Sequence, residues 1–231
     1  MKAFIIFRDR VTYARQCHAA LTAAGTDVHV VDHASTWPPA LAWLAELEDA
    51  GTTVLRRDNA YPWQLWDWDT FRDLMWGDPE PYLVTDPDVI PSDDCPADWL
   101  QRLTDVLAAR PGTRKAGLGL RLDRIPDAYP GKRQILEHEA VFWEEQEDGG
   151  VYRANVDTTL ALYQPYTEFP LFTLGPALRT GHPYVADHLA WYEHGPLTAE
   201  LAHYHARADS GHDVPRVIGS GRSLPGCSIG V

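Results

Sequence analysis

Tyr82-Leu83-Val84-Thr85-Asp86-Pro87-Asp88-Val89-Ile90-Pro91 carries an apolar strand into a pair of carboxylates separated by a single proline. In extended chain, positions i and i+2 point to the same side, so Asp86 and Asp88 can converge on one ligand. Pro87 supports that geometry, because a proline disfavours the α conformation in the residue before it. Hard oxygen ligands at the carboxyl end of a strand suit a divalent cation that carries a diphosphate. A solvated Asp-Pro-Asp turn has the same sequence, so the neighbouring segments must decide.

Upstream, Lys2–Phe7 has the composition of a buried strand, and Tyr13–Ala24 has helical spacing stopped by Gly25. Val28–Val31 is a second short strand ending at Asp32, and Pro38-Pro39 opens a helix through Leu41, Leu44 and Leu47. Thr53–Arg56 is a third strand, and Trp63–Trp76 is expected to be helical. After the strand Tyr82–Thr85, a helix opens near Pro96 with Leu100, Leu103, Val106 and Leu107 on its apolar face. Strict alternation of this kind predicts an α/β fold with a mostly parallel sheet and helices on both faces. Ligands of such sheets sit beyond the carboxyl ends of the strands. Asp32, Asn59, Asp86 and Asp88 all fall there and can share one cleft.

The second half is less regular. Lys115–Leu122 and Val156–Tyr163 have strand patterns, Gln134–Phe142 that of a short helix, and Glu144–Gly150 that of a turn. The last seventy or so residues hold six of the ten histidines and show weak periodicity, so loops and short helices are expected there. The expected organisation is one domain over 1–231, with a nucleotide-binding half (1–114) and an acceptor half (115–231).

Composition narrows the function. A net charge of −13 argues against an unmodified nucleic acid as partner, since phosphate contacts need a basic face. Arg121, Arg124, Lys132 and Arg133 are interleaved with Asp123, Asp127 and Glu137. The 3 cysteines form no CxxC pair, which fits a reducing cytoplasm and offers no zinc framework. No apolar run has the length of a membrane span, and Met1–Phe7 is too short for a signal peptide. The first strand runs into Arg8-Asp9-Arg10 without glycine, so the dinucleotide fingerprint is missing.

Five stretches in order resemble the nucleotide-sugar glycosyltransferases of the GT-A fold, and within them a small family-2-like group. They are Val31–Leu41, Tyr82–Pro91, Lys115–Asp123, Tyr152–Tyr163 and Pro183–Tyr192. The resemblance implies that Asp32 faces the nucleobase, with Ser35 following it. It implies that Asp86 and Asp88 are the DxD pair, which holds the donor's diphosphate through Mn²⁺ or Mg²⁺, and that His188 completes the metal site. An oxygen and imidazole set suits manganese better than calcium. Asp157 is the candidate carboxylate near the acceptor. Arg10, Asn59 and Trp66 are further candidates for donor binding, and Trp66 and Trp191 can present an aromatic face to a sugar. Asp187 stands where a basic residue is expected, and the acidic pair that usually supplies the base of inverting enzymes is not recognisable.

Each residue also has a structural explanation. Asp32 can cap the next turn, His188 can be a hydrogen-bonded core histidine, and His203-x-His205 can be a surface pair instead of a zinc site. An acid such as Asp157 at the head of an apolar strand needs a partner or a job if buried. The expected function is transfer of a sugar from a nucleoside-diphosphate sugar, UDP-linked by preference, to a hydroxyl acceptor whose identity the sequence leaves open. The competing readings are a metal-dependent nucleotidyltransferase and a non-catalytic carbohydrate-binding protein of the same fold.

Overall fold

The structure, a computed structural model, describes residues 1–59, 65–156, 160–165 and 177–207. The first half comprises β1 (Lys2–Phe7), α1 (Val11–Ala23), β2 (Asp27–His33), α2 (Pro38–Asp49), β3 (Thr53–Arg57), α3 (Asp69–Trp76) and β4 (Tyr82–Thr85). β5 (Val89–Pro91), α4 (Trp99–Ala108), β6 (Lys115–Leu120) and α5 (Lys132–Ala140) follow. The chain then forms the hairpin β7 (Gln146–Glu147) and β8 (Val151–Arg153), then β9 (Ala161–Tyr163), β10 (Ala177–His188) and α6 (Ala199–Arg207).

Alternation along β1 shows why the sheet is covered on both faces. Ala3 and Ile5 pack with Cys17 and Leu21 of α1 and with Leu103, Val106 and Leu107 of α4. Phe4 and Ile6 point the other way, onto Phe71 and Met75 of α3. Phe7 joins Trp43 and Leu44 of α2, its ring meeting Trp43 edge-on at 5.0 Å. Burying one such side chain contributes roughly 1.5–3 kcal/mol, so these stripes supply most of the drive to this arrangement.

The sheet order is β3-β2-β1-β4-β9-β6-β10-β8-β7, with β5 paired to β10. β3, β2, β1 and β4 are parallel, as the alternation predicts. β9 inserts antiparallel between β4 and β6, so β6 has the same sense as β4. β10 runs parallel to β6 and therefore also ends on the edge where β1 to β4 end. That edge receives Phe7, His33, Arg57, Thr85 and His188.

Three expectations change. The helix expected from Trp63 begins at Asp69, because Trp68 is extended (φ −87°, ψ 118°) and caps it, while residues 60–64 lie outside the described residues. The strand expected over Val156–Tyr163 is described only as Ala161–Tyr163, with 157–159 outside the described residues. The expected loops near the C-terminus include instead the 12-residue strand β10. Its alternation is weak because it has β6 on one side and β8 and β5 on the other, and because its register shifts between Thr180 and Val185. The turn at Gly149-Gly150 is as expected, with φ of 81° and 67°, values that glycine adopts without strain.

Candidate functional site

The loops after β1 and β2 are clasped by a residue the sequence did not single out. Asp9 has φ 58°, a left-handed conformation that aspartate tolerates better than most side chains. Its Oδ1 accepts the N–H groups of Thr36 and Trp37, both at 2.7 Å, and its own N–H donates to Ser35 Oγ at 2.9 Å. Ser35 is thus part of this clasp. Asp32 Oδ1 accepts the Ser35 N–H at 3.1 Å, and Oδ2 lies 3.5 Å from the Arg56 guanidinium. Burial pushes the Asp32 carboxyl above its ordinary value, against those contacts, which lower it. Asn59 follows β3 by two residues, and Arg56, Arg57, Asp58 and Trp68 line an open hollow of about 510 Å³ at the end of that strand.

Asp86 and Asp88 follow β4 at the same edge, and the antiparallel pairing of β5 with β10 sets Val89 opposite His188. His188 Nδ1 consequently lies 3.8 Å from Asp88 Oδ2, and the Leu189 N–H donates to the Asp88 carbonyl at 2.7 Å. Nδ1 is buried without a hydrogen-bond partner among the described residues. The imidazole is stacked on Trp191, centroids 4.5 Å apart and rings 1° from parallel. Beneath the pair, the buried Cys17 thiol points at the carbonyls of Asp86 (3.8 Å) and Val89 (3.6 Å). Burial and the nearby Asp88 and Asp86 charges push that thiol far up, so it stays protonated packing.

Arg10, at the N-terminus of α1, donates to Glu193 at 2.6 Å and stands 3.7 Å from Glu200. Tyr13 donates to the same Glu193 oxygen at 2.8 Å. Burial and the Glu193 carboxylate raise the Tyr13 hydroxyl well past its ordinary range, and Asp88 adds to the effect. Tyr129, after β6, is raised by burial and by Glu193 and Asp88. Arg10, Asp88 and Glu193 therefore share one electrostatic neighbourhood, flanked by Tyr13 and Tyr129. Tyr129 also lines an open groove of about 520 Å³ with Pro130, Arg133 and Leu136.

No protein-family model and no curated protein matches the chain by sequence. Among solved structures it is similar to GalNAc-T7 with UDP, GalNAc and Mn²⁺, at TM-score 0.50 and 11% identity, over 81% of this chain and 42% of that one. It is also similar to the mannosyltransferase PcManGT from Pyrobaculum calidifontis in complex with GDP-Man and Mn²⁺, at TM-score 0.46 and 14% identity, over 81% of this chain and 56% of that one. A third is S. aureus TarS 1-349, at TM-score 0.37 and 13% identity, over 55% of this chain and 38% of that one. The chain spans 56% or less of the length of these proteins. GalNAc-T7 is a GT-A-type glycosyltransferase, and the likeness is one of architecture. The chain has a GT-A-like fold.

Within the GT-A-like sheet, the sequence candidates separate. Arg10, Asp32, Ser35, Asp86, Asp88 and His188 come together along the carboxyl edge. Trp66 does not. It is 5% exposed, its Nε1 donates to Tyr82 Oη at 2.8 Å, and it packs on Phe71 and Tyr163. Because Tyr82 opens β4, Trp66 sits toward the opposite end of the strand and acts as core, correcting its expected place at the sugar. Asp157 lies outside the described residues. Asp187, where a basic residue was expected, accepts from Tyr192 at 2.8 Å and stands 4.0 Å from Arg124. The interleaved basic residues are paired, Arg121 with Asp94 and Asp123, Lys132 with Asp127, and Arg133 with Glu137. Positions 203 and 205 lie on a helix, where neighbours two apart diverge, so they do not form a shared ligand pair. Thr12, Tyr13, Glu193 and Glu200 carry no motif, because only folding brings segments some 180 residues apart together.

Among the described residues, no helix is long and apolar enough to cross a membrane.

Proposed function

We propose that the chain is a metal-dependent glycosyltransferase, moving a sugar from a nucleoside-diphosphate sugar, UDP-linked by preference, to a hydroxyl acceptor. The observation that carries this reading is the meeting of Asp88 and His188 beside Asp86, at the carboxyl edge of a GT-A-like sheet. The presence of UDP, GalNAc and Mn²⁺ in GalNAc-T7 supports it.

The residues fit a cation. A buried imidazole nitrogen with no hydrogen-bond partner among the described residues faces a carboxylate oxygen, and mixed nitrogen and oxygen donors suit Mn²⁺. No group of three such side chains is assembled among the described residues. Small divalent cations commonly take one or two protein carboxylates and complete their shell with substrate phosphates and water, so a full protein cage is not required. Asp86, Asp88 and His188 would hold Mn²⁺ or Mg²⁺, which supplies positive charge to the departing diphosphate.

The chain's own groups do the rest. Arg10 neutralises and orients the diphosphate, Asp32 and Ser35 frame the nucleoside end, and Asn59 contributes from the end of β3. If the transfer inverts the anomeric centre, Asp157 is the candidate general base, taking the proton of the acceptor hydroxyl as that oxygen bonds to the sugar's anomeric carbon and the bond to the diphosphate breaks. The groove beside Tyr129 supports an acceptor approaching from the side of β6.

The test incubates the protein with a panel of nucleotide sugars and Mn²⁺ and separates the products. Free nucleoside diphosphate is expected, and Asp88→Asn should lower its release by about 100-fold or more with the circular dichroism unchanged. Full activity in EDTA or in the variant refutes the metal role. Pyrophosphate as product would mark a nucleotidyltransferase, and sugar binding indifferent to nucleotide and metal would mark a carbohydrate-binding protein.

A further inference from the structure

The strap Glu193–Arg207 lies across the edge where the proposed donor would enter. Arg8 donates to the Arg207 carbonyl at 2.8 Å, His203 Nε2 is 3.0 Å from Thr36 Oγ1, and the His203 and Trp37 rings are 4.8 Å apart. These contacts bind it to the loops after β1 and β2. Its two carboxylates are seated with particular care. Glu193 Oε1 accepts from Arg10 (2.6 Å) and Tyr13 (2.8 Å). Glu200 Oε2 accepts from the backbone N–H (3.2 Å) and hydroxyl (2.9 Å) of Thr12, with Oε1 3.7 Å from the Arg10 guanidinium.

Paired anions on an arginine, a hydroxyl, a phenol and a backbone N–H at the start of α1 reproduce the demands of a diphosphate. Arg10 cannot serve both sets at once. The attachment is also weak for a structural element, since no residue of α6 is fully buried and it is held by polar contacts, with the His203–Trp37 and Tyr204–Arg10 ring contacts beside them. A helix with such a seat is readily displaced.

We infer that the strap is a self-inhibitory occupant of the donor site, with the Glu193 and Glu200 carboxylates standing where the donor's phosphates bind Arg10, Thr12 and Tyr13. The inference rests on the glycosyltransferase reading and adds to it that the donor must displace α6. A strap closed nine-tenths of the time weakens the apparent donor affinity about tenfold, because only the open fraction binds.

Two measurements test this. Inorganic pyrophosphate, and UDP with Mn²⁺, are titrated calorimetrically into the parent protein and into Glu193→Gln/Glu200→Gln. Both should bind the variant about tenfold more tightly. Hydrogen exchange of the 199–207 amides in the parent protein should accelerate at saturating UDP and Mn²⁺. Equal affinities with α6 still protected while UDP is bound overturn the inference and leave the glycosyltransferase reading standing. If neither protein binds UDP or pyrophosphate, the donor reading falls and the inference with it. Should the variant prove unstable, exchange in the parent decides alone, with protection retained at saturation counting against displacement.

Discussion

The Asp32 carboxylate is 3% exposed and has the Arg56 guanidinium, itself nearly half exposed, as its cationic partner. Burial raises its pKa above the ordinary 3.8, so the folded protein holds the proton more tightly than the unfolded chain. The resulting stability is fully present below pH 3.8 and is lost as pH rises through the folded-state value. Asp32→Asn keeps an acceptor for the Ser35 N–H and removes the buried charge. It should raise the urea midpoint relative to the parent at pH 7, with the gap closing toward pH 3.8. Comparing variant with parent cancels the opposite slope from Asp94, Asp123 and Asp127, whose carboxyls are held low by hydrogen bonds from Arg121 or Lys132. A midpoint lower than the parent's at pH 7 would show that the ionised form is the stabilising one. If Asp32 reads the nucleobase, the same variant binds the donor less tightly, a gain in stability at the expense of function.

At the scale of elements, α5 is fastened to the sheet by a buried ion pair. Arg179 of β10 donates to Glu139 of α5 at 2.6 Å, both side chains 5% exposed or less. Its Nε also donates to the Asn155 carbonyl at 2.7 Å, and its guanidinium lies 4.0 Å over the Phe142 ring. Removing one partner strands the other charge, so Glu139→Ala should cost about 3–5 kcal/mol in urea unfolding. Arg179→Met/Glu139→Leu should recover most of that loss. If the double variant is no better than the single one, the pair itself, and not a stranded charge, holds α5. Close packing on β6, the strand beside β10, is equally exacting. A Cβ at Gly119 would come within 2.5 Å of both the Thr180 carbonyl and the Trp143 ring, which explains a glycine inside β6.

For the whole molecule, the edge gathers side chains from β4, β10 and the two ends of the described chain, so a ligand bridging them should stabilise all of it. A nucleotide sugar at 100 times its Kd adds about 2.7 kcal/mol, which shifts the midpoint of a protein of this size by roughly 5–10 °C. A thermal-shift screen with and without Mn²⁺ should find one nucleotide family that acts only with the metal. A shift from metal-free sugar alone would favour simple carbohydrate binding.

Alternating apolar segments and turn residues made β1 to β4, α1, α2 and the place of Asp86 and Asp88 just past β4 legible in the sequence, because each depends on neighbours a few residues away. The descent of an apolar strand into Asp-Pro-Asp located the carboxyl edge. Tertiary structure alone decided that β9 runs backwards between β4 and β6, that β10 is a strand, that Trp66 is core, and that Glu193 and Glu200 reach Arg10 and Thr12. Those facts rest on contacts between residues as many as 188 positions apart, and local pattern carries no record of which distant surface a segment will meet.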